Sequence, residues 1–153
     1  NIMTSPREYT SRRIAIIDAL VEKLEEIDGS GNYRTDLNGN VSRRLKFWDE
    51  VDEFPAIHIS AGAETREYLG AQNKTRFMQV TLRCYVNDED SVEALEGLME
   101  DVETVLDTHS RLRYVDRKYD FQYTQLITVL SLDTDEGVLE PLGVGEIVCE
   151  VRY

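Results

Sequence analysis

The sequence predicts a soluble α+β domain, and three features of the chain predict it. Residues 75–87 alternate apolar and mixed side chains with the period of two that is typical of a half-buried strand. Residues 92–106 instead repeat apolar side chains every three or four positions, as the buried stripe of an amphipathic helix does. The length of 153 residues is typical of one domain, and no linker or internal repeat divides it. We therefore expect a single domain over residues 1–153, in which helices cover a sheet.

The first predicted helix runs from about residue 6 to residue 27. Ser5 is a preferred N-cap residue, Pro6 suits the first helical position, and Glu8 follows the cap by three residues. Apolar residues then recur at helical spacing as far as Gly29, which favours a stop. A short strand is expected next, over residues 33–37.

Residues 43–53 form the most unusual segment of the chain. Arginines and a lysine lead into two aromatic residues, and four acids follow. Trp and Arg are enriched in the hot spots of protein interfaces, so we predict that this segment contacts a partner protein through Arg43, Arg44, Phe47 and Trp48. Two alternatives stay open. The aromatic rings could fold back onto the core, or they could stack on a nucleic acid, which the adjoining acids oppose.

A long hairpin is predicted over about residues 55–86. Pro55 suits the first residue of a strand, and Gly62 indicates either a bulge or the tip of an extended arm. Residues 70–73 should turn the chain into the alternating strand, whose apolar face carries Met78, Val80, Leu82, Cys84 and Val86.

The second predicted helix, over about residues 91–108, is strongly acidic. Asp90 and Glu93 form a capping-box pattern at its start. Nine acids and no lysine or arginine lie between Arg83 and Arg111. Two interpretations stay open: a solvated face that maintains solubility, or a surface that meets a basic partner through Glu96, Glu100 and Glu103.

The C-terminal part of the chain should add two more strands, over about residues 121–132 and 145–153. Both are rich in aromatic and β-branched residues, and the second alternates clearly. A turn-rich segment separates them. The charged residues 107–120 before them are expected to form a loop or an irregular strand.

Reactive motifs are missing from the sequence, so we predict that the protein is not an enzyme. It has no phosphate-binding glycine loop, and His58, His109, Cys84 and Cys149 lack the paired spacing of a metal site or a nucleophile. We expect no cofactor and no metal, with both cysteines as buried thiols. No apolar run approaches the roughly 20 residues of a membrane span, so no membrane partner is expected. The beginning of the chain carries no signal-peptide pattern, which favours the cytoplasm.

The order of these elements resembles the tail terminator proteins of long-tailed bacteriophages. The hairpin opens with Phe54–Ile59 (FPAIHI), and the last strand ends with Val151–Tyr153 (VRY). The resemblance covers nearly the whole chain and depends on this distributed pattern. It implies an α+β fold with a mainly antiparallel sheet of four to five strands, flanked by two helices and containing the long hairpin.

The resemblance also implies a function and a set of partners. Such a protein forms a homo-oligomeric ring, expected to be a hexamer, that caps the tail tube, stops its polymerisation and provides the surface for head joining. Its partners would be further copies of itself, the tail tube protein and a head completion protein. The net charge of −13 would let DNA pass through the ring without specific binding. The protein would assemble in the host cytoplasm and then belong to the virion tail.

A second class of function stays open on the charge pattern alone. The protein could be an acidic adaptor or a DNA mimic whose acidic helix binds a basic protein. That alternative predicts a monomer or dimer whose association is sensitive to salt.

Overall fold

A computed structural model describes residues 11–44, 48–117 and 120–153, with two helices and seven strands. The helices are α1 (Arg12–Leu24) and α2 (Ser91–Thr108). The strands are β1 (Val41–Ser42), β2 (Ala56–Tyr68), β3 (Lys74–Asn87), β4 (Arg113–Arg117), β5 (Asp120–Tyr123), β6 (Leu126–Thr134) and β7 (Leu142–Arg152). A short 3₁₀ turn, Trp48–Glu50, lies between β1 and β2.

Five strands form the main sheet, in the order β1-β2-β3-β7-β6. All neighbours are antiparallel except β1, which pairs in parallel with β2. The α+β class, the strand number, the two helices and the long β2–β3 hairpin are as predicted, although the sheet is mixed. A separate two-stranded sheet, formed by β4 and β5, was not expected.

Strand β3 is the centre of the sheet and shows the predicted alternation. Its apolar face is fully covered, with Met78, Val80, Leu82, Cys84 and Val86 all buried. On β7, Ile147, Cys149 and Val151 continue the same face, and both helices contribute to one core with it. Cys84 and Cys149 are free, buried thiols, and burial raises the pKa of each to about 12.

Helix α1 is shorter than predicted at both ends. Ser11 has an extended backbone and precedes the first helical residue, so the predicted helix is interrupted there; residues 5–10 lie outside the described residues. At the other end the helix stops at Leu24, yet Ile27 is completely buried. A turn keeps Ile27 in the core because its N–H donates to the Leu24 carbonyl at 3.1 Å.

The strand predicted over residues 33–37 is wrong. Only an isolated bridge between Asp28 and Asp36 forms there. The N–H groups of Arg34 and Thr35 donate to the Asp101 carboxylate at 2.7–3.1 Å, so they are unavailable to a sheet. The Asp101 side chain of α2 thus accepts the hydrogen bonds that a neighbouring strand would otherwise accept.

The hairpin contains the irregularity that Gly62 indicated. The register between β2 and β3 shifts between Ala61 and Glu64, which is a β-bulge. At the far end, the Leu69 N–H donates to the Asn73 carbonyl at 3.0 Å and closes the turn.

Helix α2 begins as predicted, but its cap is shared by two aspartates. The Asp90 carboxylate accepts the Glu93 N–H at 3.2 Å. The Asp90 N–H donates to Asp88 at 2.9 Å, so Asp88 takes the place that a capping box would give to Glu93. The acids before α2 therefore have a structural role at the positive end of the helix.

The single strand predicted over residues 121–132 is wrong, because the chain breaks into β5 and β6 at Thr124. Thr124 is buried, and its hydroxyl accepts the Leu112 N–H at 2.7 Å while donating to the Ser110 carbonyl at 2.9 Å. These bonds attach the chain to the segment after α2, so that β5 pairs with β4 and β6 joins the main sheet.

Candidate assembly surfaces

The acidic face of α2 is partly neutralised within the chain. Glu96 and Glu100 are exposed and Glu103 is half-buried. Glu100 forms an ion pair with Arg34 at 3.4 Å, and among the described residues neither Glu96 nor Glu103 forms one. Two of the three predicted carboxylates, Glu96 and Glu103, are thus left for solvent or a partner, and their place at an interface stays a prediction.

Of the two arginines that follow β1, Arg43 contacts α1. Arg43 forms an ion pair with Asp18 of α1 at 2.8 Å and is more than half exposed, while Arg44 is exposed. Trp48 opens the 3₁₀ turn, but its side chain and the whole of Phe47 lie outside the described residues. No hydrogen bond or ion pair among the described residues joins this group to the acidic face of α2.

A groove of about 440 Å³, which the sequence did not indicate, runs between α1 and β2. Its walls are apolar at Ile14, Ile17, Ile59 and Ala61, and Arg13 and Arg43 lie at the rim. Ile14 is 55% exposed, which is unusual for an isoleucine in a helix that packs on a sheet. Ile14 lies outside the apolar stripe that helical spacing predicts for α1, but only the fold shows that it lines a groove.

The main sheet has unpaired backbone on both of its edges. On one side, β1 pairs only with Ile57 and His58, and no other described strand covers the rest of β2. On the other side, β7 is the only described strand that pairs with β6. Leu126, Leu130 and Leu132 of β6 are 47%, 52% and 43% exposed. Exposed edges with apolar side chains are surfaces on which another strand can add.

Glu64, at the bulge of β2, forms hydrogen bonds with side chains of α1 and of the last residue, Tyr153. Its side chain is only 6% exposed and accepts hydrogen bonds from Tyr153, from Arg66 at 2.9 Å and from Arg13 at 3.4 Å. Arg13 also donates to the Gly62 carbonyl at 2.6 Å. The sequence analysis did not identify this network, because its members are far apart in the chain.

The network shifts two pKa values in opposite directions. Burial would raise the pKa of Glu64, but the hydrogen bonds from Tyr153 and Arg66 and the charges of Arg66 and Arg13 outweigh it, so the pKa is lowered. Burial and the bond to Glu64 raise the pKa of Tyr153 to about 12. At neutral pH the carboxylate is ionised and the phenol is a hydrogen-bond donor.

The β4–β5 sheet presents a second exposed apolar surface. Val115, Phe121 and Tyr123 are about half exposed, and the Arg113 guanidinium lies 3.6 Å from the centre of the Phe121 ring. On its other face, the Tyr114 hydroxyl accepts a hydrogen bond from Arg12 of α1 at 2.8 Å. The small sheet is thus fixed to the start of α1.

The described residues form no arrangement that suggests catalysis. His58 is buried on β2 with its ring 4.9 Å from that of Tyr85, while His109 follows α2, as predicted. Within residues 11–44, 48–117 and 120–153, no three metal-ligating side chains are grouped to hold an ion. None of the helices in this part of the chain is both long and apolar enough to cross a membrane.

The fold has a counterpart among the solved structures. A solved structure described as the virion of a native gene transfer agent particle superimposes with a TM-score of 0.56. The match covers 90% of this chain and 96% of the other at 12% identity, so it shows that the two share a fold.

Sequence comparison is more specific. Residues 10–153 match the family model described as bacteriophage tail tube terminator protein. The chain is also 35% identical to the tail tube terminator protein p142 of Escherichia phage T5, over 92% of each chain. The protein therefore belongs to the bacteriophage tail tube terminator family, and the family resemblance stated from the sequence is confirmed.

Proposed function

We propose that this protein closes into a ring of six copies on the end of a phage tail tube. The ring stops tube polymerisation, offers its outer surface to a head completion protein and lets DNA pass through its opening. Family membership supports the position at the end of the tube. The observation that carries the ring is the pair of unpaired sheet edges on opposite sides of one subunit.

Two different edges suit a ring because a ring needs a heterologous interface. One patch of each copy must meet a different patch of the next, and the contact must close after a fixed number of copies. A protein with a single unpaired edge would pair that edge with the same edge of a second copy and form a dimer. Here the β2 edge and the β6 edge are separated by the width of the sheet, so each copy can contact two neighbours.

The charge of the protein suits a ring through which DNA moves. At a net charge of −13, each copy repels phosphate overall and would not hold DNA during its passage. We propose assembly in the host cytoplasm, followed by permanent residence in the virion tail, with no catalytic step.

The test is polymerisation of tail tube protein with and without this chain. We expect shorter tubes, each with a ring at one end in electron micrographs, and no further growth of capped tubes when fresh tube protein is added. Tubes of unchanged length, with no density added at their ends, would refute the proposal. Bovine serum albumin at the same concentration controls for crowding.

An acidic adaptor is the second candidate, and one observation favours it. Glu96 and Glu103 form no ion pair among the described residues, although α2 is otherwise well packed. Replacing both by Gln should abolish binding to a basic partner if α2 is the binding surface. Normal capping of tubes by the same variant would leave the terminator function in place and remove this alternative.

A further inference from the structure

We propose that the groove between α1 and β2 receives the β6 strand of a neighbouring copy, with Leu132 in register with Ile59 and packed on the exposed Ile14. This inference depends on the proposed ring and specifies the surfaces that close it. Four properties of the described residues support it: strand direction, register, apolar complementarity and charge.

Strand direction permits the two edges to pair. Each step across the sheet from β2 to β3, β7 and β6 is antiparallel, so β6 runs opposite to β2. Two copies placed side by side in the same orientation therefore bring β6 of one against β2 of the next as an antiparallel pair. Antiparallel pairing is the arrangement already used at every contact among these four strands.

Register brings Leu132 to the groove. Leu132 pairs with Ile147, Ile147 with Leu82, and Leu82 with Ile59. Leu132 and Ile59 are thus the two ends of one row across the sheet, and their side chains lie on the face that carries the helices. A neighbour that continues the row without stagger places Leu132 beside Ile59, in the groove below α1.

The two surfaces are also complementary in polarity. Among the isoleucines of the groove only Ile14 is exposed, since Ile17 is 8% and Ile59 0% exposed. The strand offered to Ile14 carries Leu130 and Leu132, each about half exposed. The register shift between Val129 and Ser131 leaves Leu130 as an extra residue at the edge. Burial of Leu130 and Leu132 would remove two of the three exposed leucines of β6 from water, which favours association.

Opposite charges lie at the end of the proposed β6–β2 contact. Asp133 follows Leu132 and is exposed, and its row across the sheet passes through Glu146 and Arg83 to His58, which pairs with Ser42 of β1. Arg43 and Arg44 come directly after Ser42. Ser42 already occupies the edge beside His58, so pairing of the incoming strand stops at Leu132, and Asp133 comes next to the chain that continues from Ser42 into Arg43 and Arg44. Arg43 already pairs with Asp18 of its own α1, so Arg44 is the partner proposed for Asp133.

Cross-linking between defined positions tests the contact. Ile14→Cys and Leu132→Cys would be introduced together and treated with a short bis-maleimide, on rings and on tube-bound protein. Cys84 and Cys149 are buried, so the new thiols should react selectively. We expect a ladder of covalent multimers up to the full ring. Each single variant should give no ladder, because a heterologous interface needs both sites.

Mixing experiments provide the matched control. Equal amounts of the two single variants should give a dimer as the largest product. A chain with Leu132→Cys and Val138→Cys, the latter 82% exposed in the loop before β7, should not form a ladder. Circular dichroism melts would establish that the variants are folded.

The outcomes separate this interface from the proposed function. Rings or capped tubes that give no ladder from the double variant would overturn the interface and leave the terminator function standing. A wild-type chain that neither forms rings nor caps tubes would overturn both.

A photo-reactive residue at position 14, with mass spectrometry of its cross-linked peptides, identifies the occupant directly. Peptides from residues 126–134 of another, isotope-labelled copy support the proposal. Peptides from residues 1–10 or from the tube protein refute it.

Discussion

Asp101 shows how one carboxylate can determine local structure in an acidic helix. It is 1% exposed and accepts the backbone N–H groups of Arg34 and Thr35. A buried carboxylate is tolerated only when its hydrogen bonds are made, because the cost of its lost hydration must be offset. Asp101 therefore fastens the loop after α1 to α2.

Asp101→Asn should destabilise the fold by about 1.5–3 kcal/mol, since hydrogen bonds to a charged acceptor are replaced by weaker ones. Urea unfolding at neutral pH measures the difference. Glu103→Gln is the control on the same helix and should change stability by less than about 0.5 kcal/mol, as most surface substitutions do. Equal effects of the two substitutions would contradict the role of Asp101.

The lowered pKa of Glu64 predicts a stability contribution that depends on pH. The folded-state pKa lies below the unfolded value of 4.5, so the ionised network stabilises the fold above pH 4.5 and loses this contribution as the pH falls. Glu64→Gln should therefore cost about 1.5–3 kcal/mol at pH 7 and progressively less below pH 4.5. Denaturant titrations at several pH values would detect the change, with Glu67→Gln as the exposed control on the same strand. A pH-independent difference would be inconsistent with this network.

Sequence alone could not distinguish Asp101 from the eight other acids between Arg83 and Arg111. Its role depends on the loop at residues 34–35, which is about 66 positions away. Glu64 and Tyr153 likewise meet only in the folded chain. At the scale of residues, sequence patterns report local periodicity, whereas buried polar contacts depend on tertiary placement.

At the scale of elements, the close approach of β7 to α2 depends on glycine. A Cβ atom at Gly143 would lie 2.7 Å from the Val86 side chain and 3.1 Å from the Ser91 carbonyl oxygen. A branched side chain and a backbone atom have little freedom to move. Gly143 thus permits the start of α2 to pack directly on β7.

Gly143→Ala should destabilise the protein by about 1–3 kcal/mol, because overpacking displaces the helix from the sheet. Thermal unfolding followed by circular dichroism measures the loss. Gly62→Ala is the matched control, because its new Cβ would meet its nearest neighbour at an ordinary 3.5 Å. A Gly143 variant as stable as the Gly62 variant would show that α2 can move away freely.

Strong periodicity made the central elements predictable, whereas the ends of elements depended on other contacts. The alternation of β3 and the stripe of α2 are set by burial on one face, and the sequence carries that pattern openly. The break at Thr124 was hidden, because both flanking segments have strand composition. The acceptors that divide them, at Ser110 and Leu112, come from elsewhere in the chain.

At the scale of the whole molecule, charge should weaken association between copies. Each copy carries −13, so like charges repel as a ring closes, and salt screens this repulsion. We expect the ring fraction, measured by light scattering, to rise between about 0.02 M and 0.5 M NaCl as the Debye length falls. Binding of an acidic adaptor to a basic partner would weaken over the same range. A falling ring fraction would mean that local ion pairs dominate assembly.

The proposed contact between copies was the least accessible to sequence analysis. Arg43 and Arg44 were predicted from composition, but the Ile14 groove and the Leu132 edge belong to elements that read as ordinary core packing. Their exposure arises because the sheet ends there, and a single sequence does not say which strand is last.

Strand β1 has only two residues, yet it limits where anything can be added to the sheet. Because Val41 and Ser42 already occupy Ile57 and His58, an added strand must stop at Ile59. A fixed stopping point sets the stagger between adjoining sheets, and stagger together with strand number sets the radius of a closed barrel. In the proposed ring, these two residues would therefore help to set the width of the central opening.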